Sequence, residues 1–219
     1  MCTRVSHSQS IVDTGERVLP QLKPYEKDVA KNVMMPGNAI RRHPIVEQRT
    51  RDLIAYAESA PVNRVEMGDT KLGIITSSTS YQYAKEVFGD QASILKLGMI
   101  YPLPEQLILD FASKVDRLVV IEELDAVIEE HCRQLGLEVS GKDILPLEGE
   151  YSQRLIAQKL GVSVPEGKKI DDAIPVRPPV MCAGCPHRGM FYTLHKNKVT
   201  VMGDIGCYTL GAAAPLSAI

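Results

Sequence analysis

Apolar positions along the chain change their spacing in stages. Up to about residue 37 no period is sustained, and Pro20, Pro24, Pro36 and Gly37 interrupt the stretch, which predicts irregular structure. After His43-Pro44 the spacing predicts a helix over 45–59. Pro44 suits a first helical position, Ile45, Val46, Leu53, Ile54 and Ala57 share one face, and Glu47 and Arg51 form an i,i+4 pair on the other. From Lys71 onward, short apolar runs without polar alternation predict strands over 72–76, 94–97 and 118–121. Amphipathic stretches separate them. One helix follows the N-cap-rich Ser77-Ser78-Thr79-Ser80 and ends near Gly89. A second opens at Pro104-Glu105 with Leu107, Ile108, Phe111, Ala112 and Val115 on its inner face. Two more carry Leu124, Val127, Ile128 and Leu135 up to Gly136, and Leu155, Ile156 and Leu160 up to Gly161. The pairs Glu122-Glu123 and Glu129-Glu130 read as solvated element ends.

Unalternating strands separated by amphipathic helices imply a parallel sheet covered on both faces, hence an α/β domain over 71–162. Residues 1–70 form an N-terminal irregular segment and a connecting helix. Four prolines and two lysine–aspartate clusters mark 163–179 as a linker. Past it, Met190, Phe191 and Leu194 suggest a short helix, 199–202 a strand and 203–207 a loop at the strand's end. Residues 180–219 thus open a second α/β domain.

Composition narrows the function classes. With 25 Lys+Arg against 27 Asp+Glu, nothing argues for nucleic-acid binding. No apolar run approaches the roughly 20 residues of a membrane helix, and Met1 to Ser8 lack the apolar stretch of a secretory signal. The expectation is a cytoplasmic protein with reduced thiols. No Trp and only 3 Phe leave the core to aliphatic residues.

Of the 5 cysteines, Cys182, Cys185 and Cys207 fall in one C-terminal stretch. A Cys-x-x-Cys spacing lets two thiolates share a metal or cluster, or form a redox disulfide. Cys207 follows at the end of the expected strand, where α/β ligand sites converge. Three thiolates are one short of a closed site, so a cluster needs a ligand from outside these residues. The bland alternative is a buried Cys207 beside an incidental pair. Gly203-Asp204-Ile205-Gly206 sets an acid and two glycines after that strand, fit either for close approach to a phosphate or for a plain turn. His187 and Arg188 suit an anionic ligand, or are ordinary polar residues at a helix start.

Val180-Met-Cys-Ala-Gly-Cys-Pro-His-Arg-Gly and Gly203-Asp-Ile-Gly-Cys-Tyr-Thr-Leu-Gly-Ala together resemble the opening of a thiamine-diphosphate-binding domain. That domain belongs to the α subunit of indolepyruvate ferredoxin oxidoreductase, in the 2-oxoacid:ferredoxin oxidoreductase family. Upstream strings agree in order: Thr3-Arg-Val-Ser-His-Ser, Leu72-Gly-Ile-Ile-Thr-Ser, Ile94-Leu-Lys-Leu-Gly, Ile100-Tyr-Pro-Leu-Pro-Glu and Val120-Ile-Glu-Glu-Leu-Asp. The resemblance implies oxidative decarboxylation of arylpyruvates such as indolepyruvate to acyl-coenzyme A, with reduction of ferredoxin. It implies thiamine diphosphate with Mg²⁺ and a 4Fe–4S cluster as cofactors, and a second (β) subunit as partner. Cys182, Cys185 and Cys207 match cluster ligands in relatives, and Gly203, Asp204, Ile205, Gly206, Cys207 and His187 fall where the cofactor is approached. Residues 71–162 match the transketolase C-terminal-like middle domain. The pyrimidine-binding domain and the Mg²⁺ loop of the family have no counterpart in these residues, so the chain is expected to be a piece of the subunit, inactive alone. Two other classes stay open: a non-catalytic subunit-docking module, and a Cys-x-x-Cys thiol redox protein.

Overall fold

A computed structural model describes residues 14–16, 18–165, 167, 173, 175 and 178–218; most of the expected linker, Cys2 and the Thr3–Ser8 string lie outside these. Internal contacts divide the chain into two compact units, Met1–Pro165 and Glu166–Ile219. No helix among the described residues is long and apolar enough to cross a membrane.

The first unit opens with a short helix α1 (Val29–Asn32), capped by the Asp28 carboxylate, which accepts from the Lys31 N–H. The long helix α2 (Pro36–Ala57) starts well before the expected 45, and Pro44 lies inside it. Pro36 is the proline at the first turn, where a missing N–H costs nothing. An interior proline removes one rung and crowds the turn before it, costing about 3 kcal/mol, but it does not by itself end a helix. Glu47 pairs with His43 at 3.5 Å instead of Arg51, which donates to Gln48 at 3.0 Å. The proposed apolar face is also largely exposed at Ile45, Val46 and Ile54, whereas Ala57 is fully buried. Only the C-terminal end of α2 is seated.

Four strands, β1 (Arg64–Glu66), β2 (Gly73–Ser77), β3 (Ser93–Leu97) and β4 (Leu118–Ile121), form one sheet in the order β1-β3-β2-β4. β2 runs parallel to both β3 and β4, with Ile75 opposite Leu95 on one side and Val120 on the other. β1 is an antiparallel edge strand that the periodicity does not reveal: three residues, none of them buried, carry too little pattern. Helices α3 (Ser78–Phe88), α4 (Glu105–Ala112), α5 (Val127–Gln134) and α6 (Gln153–Lys159) complete the unit.

Successive strand residues feed opposite faces. Ile74, Ile94 and Val119 join Tyr81, Phe88 and Ile156 in one core; Ile75, Leu95 and Val120 join Ile108, Phe111 and Ile128 in the other. Two buried faces explain why these runs lack polar alternation, and each fully buried aliphatic side chain contributes roughly 1.5–3 kcal/mol. The architecture is the expected α/β one, with a sheet dominated by parallel pairing.

The acidic pairs correct the sequence reading. Glu122 is 8% exposed and Glu129 only 1%, so neither is a solvated element end. The Glu122 carboxylate accepts the N–H groups of Ile128 and Glu129, both at 2.9 Å, and so caps α5. Glu129 accepts the Lys142 N–H at 2.9 Å and pairs with Arg133. The Lys142 ammonium donates to the Glu122 carbonyl and to the Tyr151 hydroxyl, which itself donates to the Pro146 carbonyl at 2.8 Å. Burial holds the Glu122 carboxyl above its usual range and Lys142 below its own. Burial also pushes the Tyr151 hydroxyl and the Cys132 thiol up to about 12. Such buried groups persist because nearly every lone pair and proton has a partner. The network holds the segment after β4 against the loop over 140–151.

Candidate functional site

The second unit contains the sequence-predicted site residues. Cys182 to Cys185 form a turn in which the Cys185 N–H donates to the Cys182 carbonyl at 3.2 Å, with Gly184 at a positive φ of 73°. Cys185 is then the N-cap of helix α7 (Pro186–Lys196), and Pro186 occupies its first turn. Proline there forfeits no rung, and its fixed φ sends the chain directly from the cysteine turn into the helix. The small core beneath consists of Met181, Phe191 and Ala218, with Leu194, Leu210 and Leu216 packed against it.

Residues 199–202 form no strand: they lack ladder partners, Val199 is half exposed and Met202 is 97% exposed. An apolar run becomes a strand only beside a pairing neighbour, and no described strand lies in this unit. The loop over 203–207 follows as expected. Asp204 turns its carboxylate onto the next N–H, that of Ile205, at 2.8 Å. Gly206 adopts φ 117°, ψ −144°, a conformation that only glycine adopts without strain. Cys207 opens a 3₁₀ helix, Cys207–Ala212.

Aromatic packing joins the two motifs. The His187 ring meets Tyr208 edge-on with centroids 4.9 Å apart, and Tyr208 meets Phe191 edge-on at 5.7 Å. Gly211 lies against the same ring: a Cβ there would stand 3.0 Å from Phe191. The start of α7, two residues past Cys185, is therefore packed on the residue that follows Cys207. Edge-to-face pairs of this kind contribute about 0.5–1.5 kcal/mol beyond their burial. Arg188 donates to the Met181 carbonyl and so braces the turn. Tyr208, Phe191 and Gly211 carry no chemistry of their own, which is why a search for reactive residue types passes over them.

The thiols are available but not gathered. Cys182 and Cys207 are exposed, Cys185 is half-buried, and all three are free. Among the described residues, no three His, Cys, Asp or Glu side chains form one metal-holding group. A 4Fe–4S cluster needs four thiolates or equivalent donors; the three present do not make that set by themselves. The 203–207 loop likewise offers a single carboxylate, already engaged with Ile205.

No protein-family model matches the chain. It is 34% identical to the indolepyruvate oxidoreductase subunit IorA of Archaeoglobus fulgidus over 99% of its own length. The IorA subunits of Thermococcus kodakarensis (32%) and Methanothermobacter marburgensis (34%) align over the same 99%. Along nearly its whole length the chain is similar to this family of oxidoreductase subunits. It spans 39% of the length of the Archaeoglobus IorA subunit and 38% of the Thermococcus one. Among solved structures, a 2-oxoglutarate:ferredoxin oxidoreductase from Magnetococcus marinus matches 58% of this chain and 23% of its own, at TM-score 0.43 and 14% identity.

Proposed function

We propose that this chain is part of the α subunit of an enzyme that oxidatively decarboxylates arylpyruvates, indolepyruvate among them, to acyl-coenzyme A while reducing ferredoxin. The observation that carries this reading is alignment with IorA subunits along 99% of the chain. Packing of the Cys185-Pro-His turn onto the Cys207-Tyr turn through His187 and Tyr208 adds support, since it links the two segments in which a shared site is expected. In this reading, residues 71–162 are the transketolase C-terminal-like middle domain, 163–179 a linker and 180–219 the opening of the cofactor domain. Residues 1–70 are the N-terminal segment and connecting helix.

Thiamine diphosphate with Mg²⁺, when bound, supplies the carbanion chemistry, and an iron–sulfur cluster carries the electrons away singly. This chain's own contribution is narrower. The backbone of Gly203, Asp204, Ile205, Gly206 and Cys207, with His187 alongside, forms a cofactor-facing wall. Cys182, Cys185 and Cys207 would supply three cluster thiolates once brought together in the assembled enzyme, with the remaining ligand from elsewhere. Exposed apolar residues in this unit, Met202 at 97% and Ile205 at 88%, support covering by further protein. The partners proposed are the second (β) subunit and ferredoxin, in the cytoplasm.

Two measurements test the reading. The 219-residue chain, given indolepyruvate, thiamine diphosphate, Mg²⁺, coenzyme A and a one-electron acceptor, is expected to show no turnover. Joined to the remainder of an IorA subunit and its β partner, it is expected to turn over, with iron content falling in Cys182→Ser and Cys207→Ser. Turnover by the chain alone, or full iron and activity in both variants, contradicts the proposal.

A further inference from the structure

Beside the loop that follows β3, the first unit holds a cavity of about 340 Å³, within the range of about 300–1,000 Å³ typical of small-molecule sites. Helices α2, α4 and α5 and that loop frame it. The α5 contribution is one face of the helix. Val127, Glu130, His131 and Gln134 recur at i, i+3, i+4 and i+7, while Ile128, Glu129 and Cys132 are buried on the other side. Two clamps hold the frame. Glu58, just past α2, accepts the N–H groups of Gln106 and Leu107 at 3.0 and 2.8 Å. Asn63 Oδ1 accepts those of Gly98 and Met99 at 2.9 and 3.0 Å. Walls fixed in this way spare a ligand the cost of ordering them.

The lining is apolar with an acidic edge. Ile54, Ile100, Tyr101 and Val127 gather there, each between 47% and 78% exposed, and a contiguous apolar patch of this kind marks a place of contact. Glu105 and Glu130 are exposed on the same lining, and no Lys or Arg is among the described residues that form it. His131 is a separate observation. Its Nε2 is buried and has no hydrogen-bond partner among the described residues, although its side chain as a whole is 24% exposed. Glu105 Oε1, 3.9 Å away, is beyond hydrogen-bond range. A buried polar atom without a partner costs about 1–3 kcal/mol, a cost that a ligand donor removes. A metal ion does not fit that role, since no three ligating side chains come together among the described residues.

We propose that this cavity binds an organic ammonium ion with an aromatic body, an aryl-alkylamine. The ring lies on Ile54, Ile100, Val127 and the Tyr101 ring, and so takes their exposed surface out of water. The ammonium is met by the Glu105 and Glu130 carboxylates and donates to His131 Nε2, which accepts in the tautomer that carries its proton on Nδ1. Glu105, 61% exposed, turns aside to admit the donor. The same two acids repel a carboxylate of equal shape. The proposal needs neither the cysteines nor the activity of the longer protein, so it stands or falls separately from the oxidoreductase reading.

Isothermal titration of the complete 219-residue chain with tryptamine, indole-3-propionate and n-propylamine tests it. Tryptamine is expected to bind saturably. Indole-3-propionate, with the ring and the wrong charge, and n-propylamine, with the charge and no ring, are each expected to be weaker by about tenfold or more. His131→Phe keeps a ring in place and removes the unpaired nitrogen; it is expected to weaken tryptamine by about three- to tenfold without lowering the melting temperature. The exposed pair Glu105→Gln/Glu130→Gln is expected to weaken it by a similar factor, with the fold intact by circular dichroism. Absence of tryptamine binding up to about 1 mM, the weak end of specific affinity, overturns the proposal. So does indole-3-propionate or n-propylamine binding as tightly as tryptamine, or unchanged tryptamine affinity in the double glutamine variant.

Discussion

Gly141 is the position where the smallest possible change meets the most constrained group. An added Cβ would stand 2.3 Å from Glu129 Oε2 and 2.6 Å from its carboxyl carbon. The backbone at Gly141 is not among the positive-φ glycines, so alanine is conformationally allowed and its cost is steric. Glu129 is 1% exposed, and its displacement breaks the bond from the Lys142 N–H and strains the pair with Arg133. A charge-assisted hydrogen bond contributes about 1.5–3 kcal/mol, so Gly141→Ala is expected to cost about 2–3 kcal/mol. In urea unfolding followed by circular dichroism, with m of roughly 1–3 kcal/mol/M, that is a midpoint shift of about 1 M. The cause is checked by a double-mutant cycle. All three nearest atoms belong to the Glu129 side chain, so in a Glu129→Ala background the added methyl is expected to cost less than about 0.5 kcal/mol. A full penalty retained in that background refutes the steric argument. A penalty near zero in the parent chain refutes it as well.

Other consequences are more direct. Gly189, inside α7 with open space around it, is expected to accept alanine with a gain of about 0.5–1 kcal/mol, read as a raised melting temperature. Gly206→Ala also meets no atom within 4 Å, yet its φ of 117° is closed to side chains; about 1–3 kcal/mol of local strain is expected, read as faster amide exchange at Cys207 and Tyr208. Cys132 is buried with its thiol pushed up to about 12, whereas Cys182 and Cys207 are exposed. Iodoacetamide at pH 8 with peptide mapping is expected to label the latter two and spare Cys132 until the protein unfolds. Tyr81 donates to Glu66 at 2.7 Å, and that bond, ahead of Lys85, holds the Glu66 carboxyl below its ordinary value of 4.5. A depressed acid stabilises the fold above 4.5 and loses that contribution as pH falls through the folded value. Tyr81→Phe is therefore expected to flatten the acid limb of stability below pH 4.5; an unchanged limb would show that the bond has no such role.

How much of this was legible in the sequence depends on whether a residue's role is set locally. Strands β2, β3 and β4 were legible because residues buried on two faces must all be apolar, and Gly89, Gly136 and Gly161, at φ values of 53°, 81° and 75°, mark where the helices stop. β1 was hidden, since an exposed three-residue edge strand exists only through its partner β3. The run over 199–202 made the opposite error: it had strand composition and no partner. Pro44 misled for a related reason. Its compatibility with a first helical turn does not forbid an interior position when an earlier proline, Pro36, begins the helix.

The site divides along the same line. Cys182, Cys185 and Cys207 were found by type and spacing, but the contact that relates their segments runs through His187, Tyr208 and Phe191, and nothing in spacing predicts it. Glu122 and Glu129 were misread because glutamate alone suggests solvent. Their burial depends on Lys142, 20 residues on in the chain from the Glu122 carbonyl it bonds, and on the N–H groups of α5. His131 shows the converse: its Nε2 lies buried with no hydrogen-bond partner among the described residues, and nothing in the sequence marks it. Reactive residue types are thus legible from sequence, while satisfied and unsatisfied polar groups become distinguishable only in the packed chain.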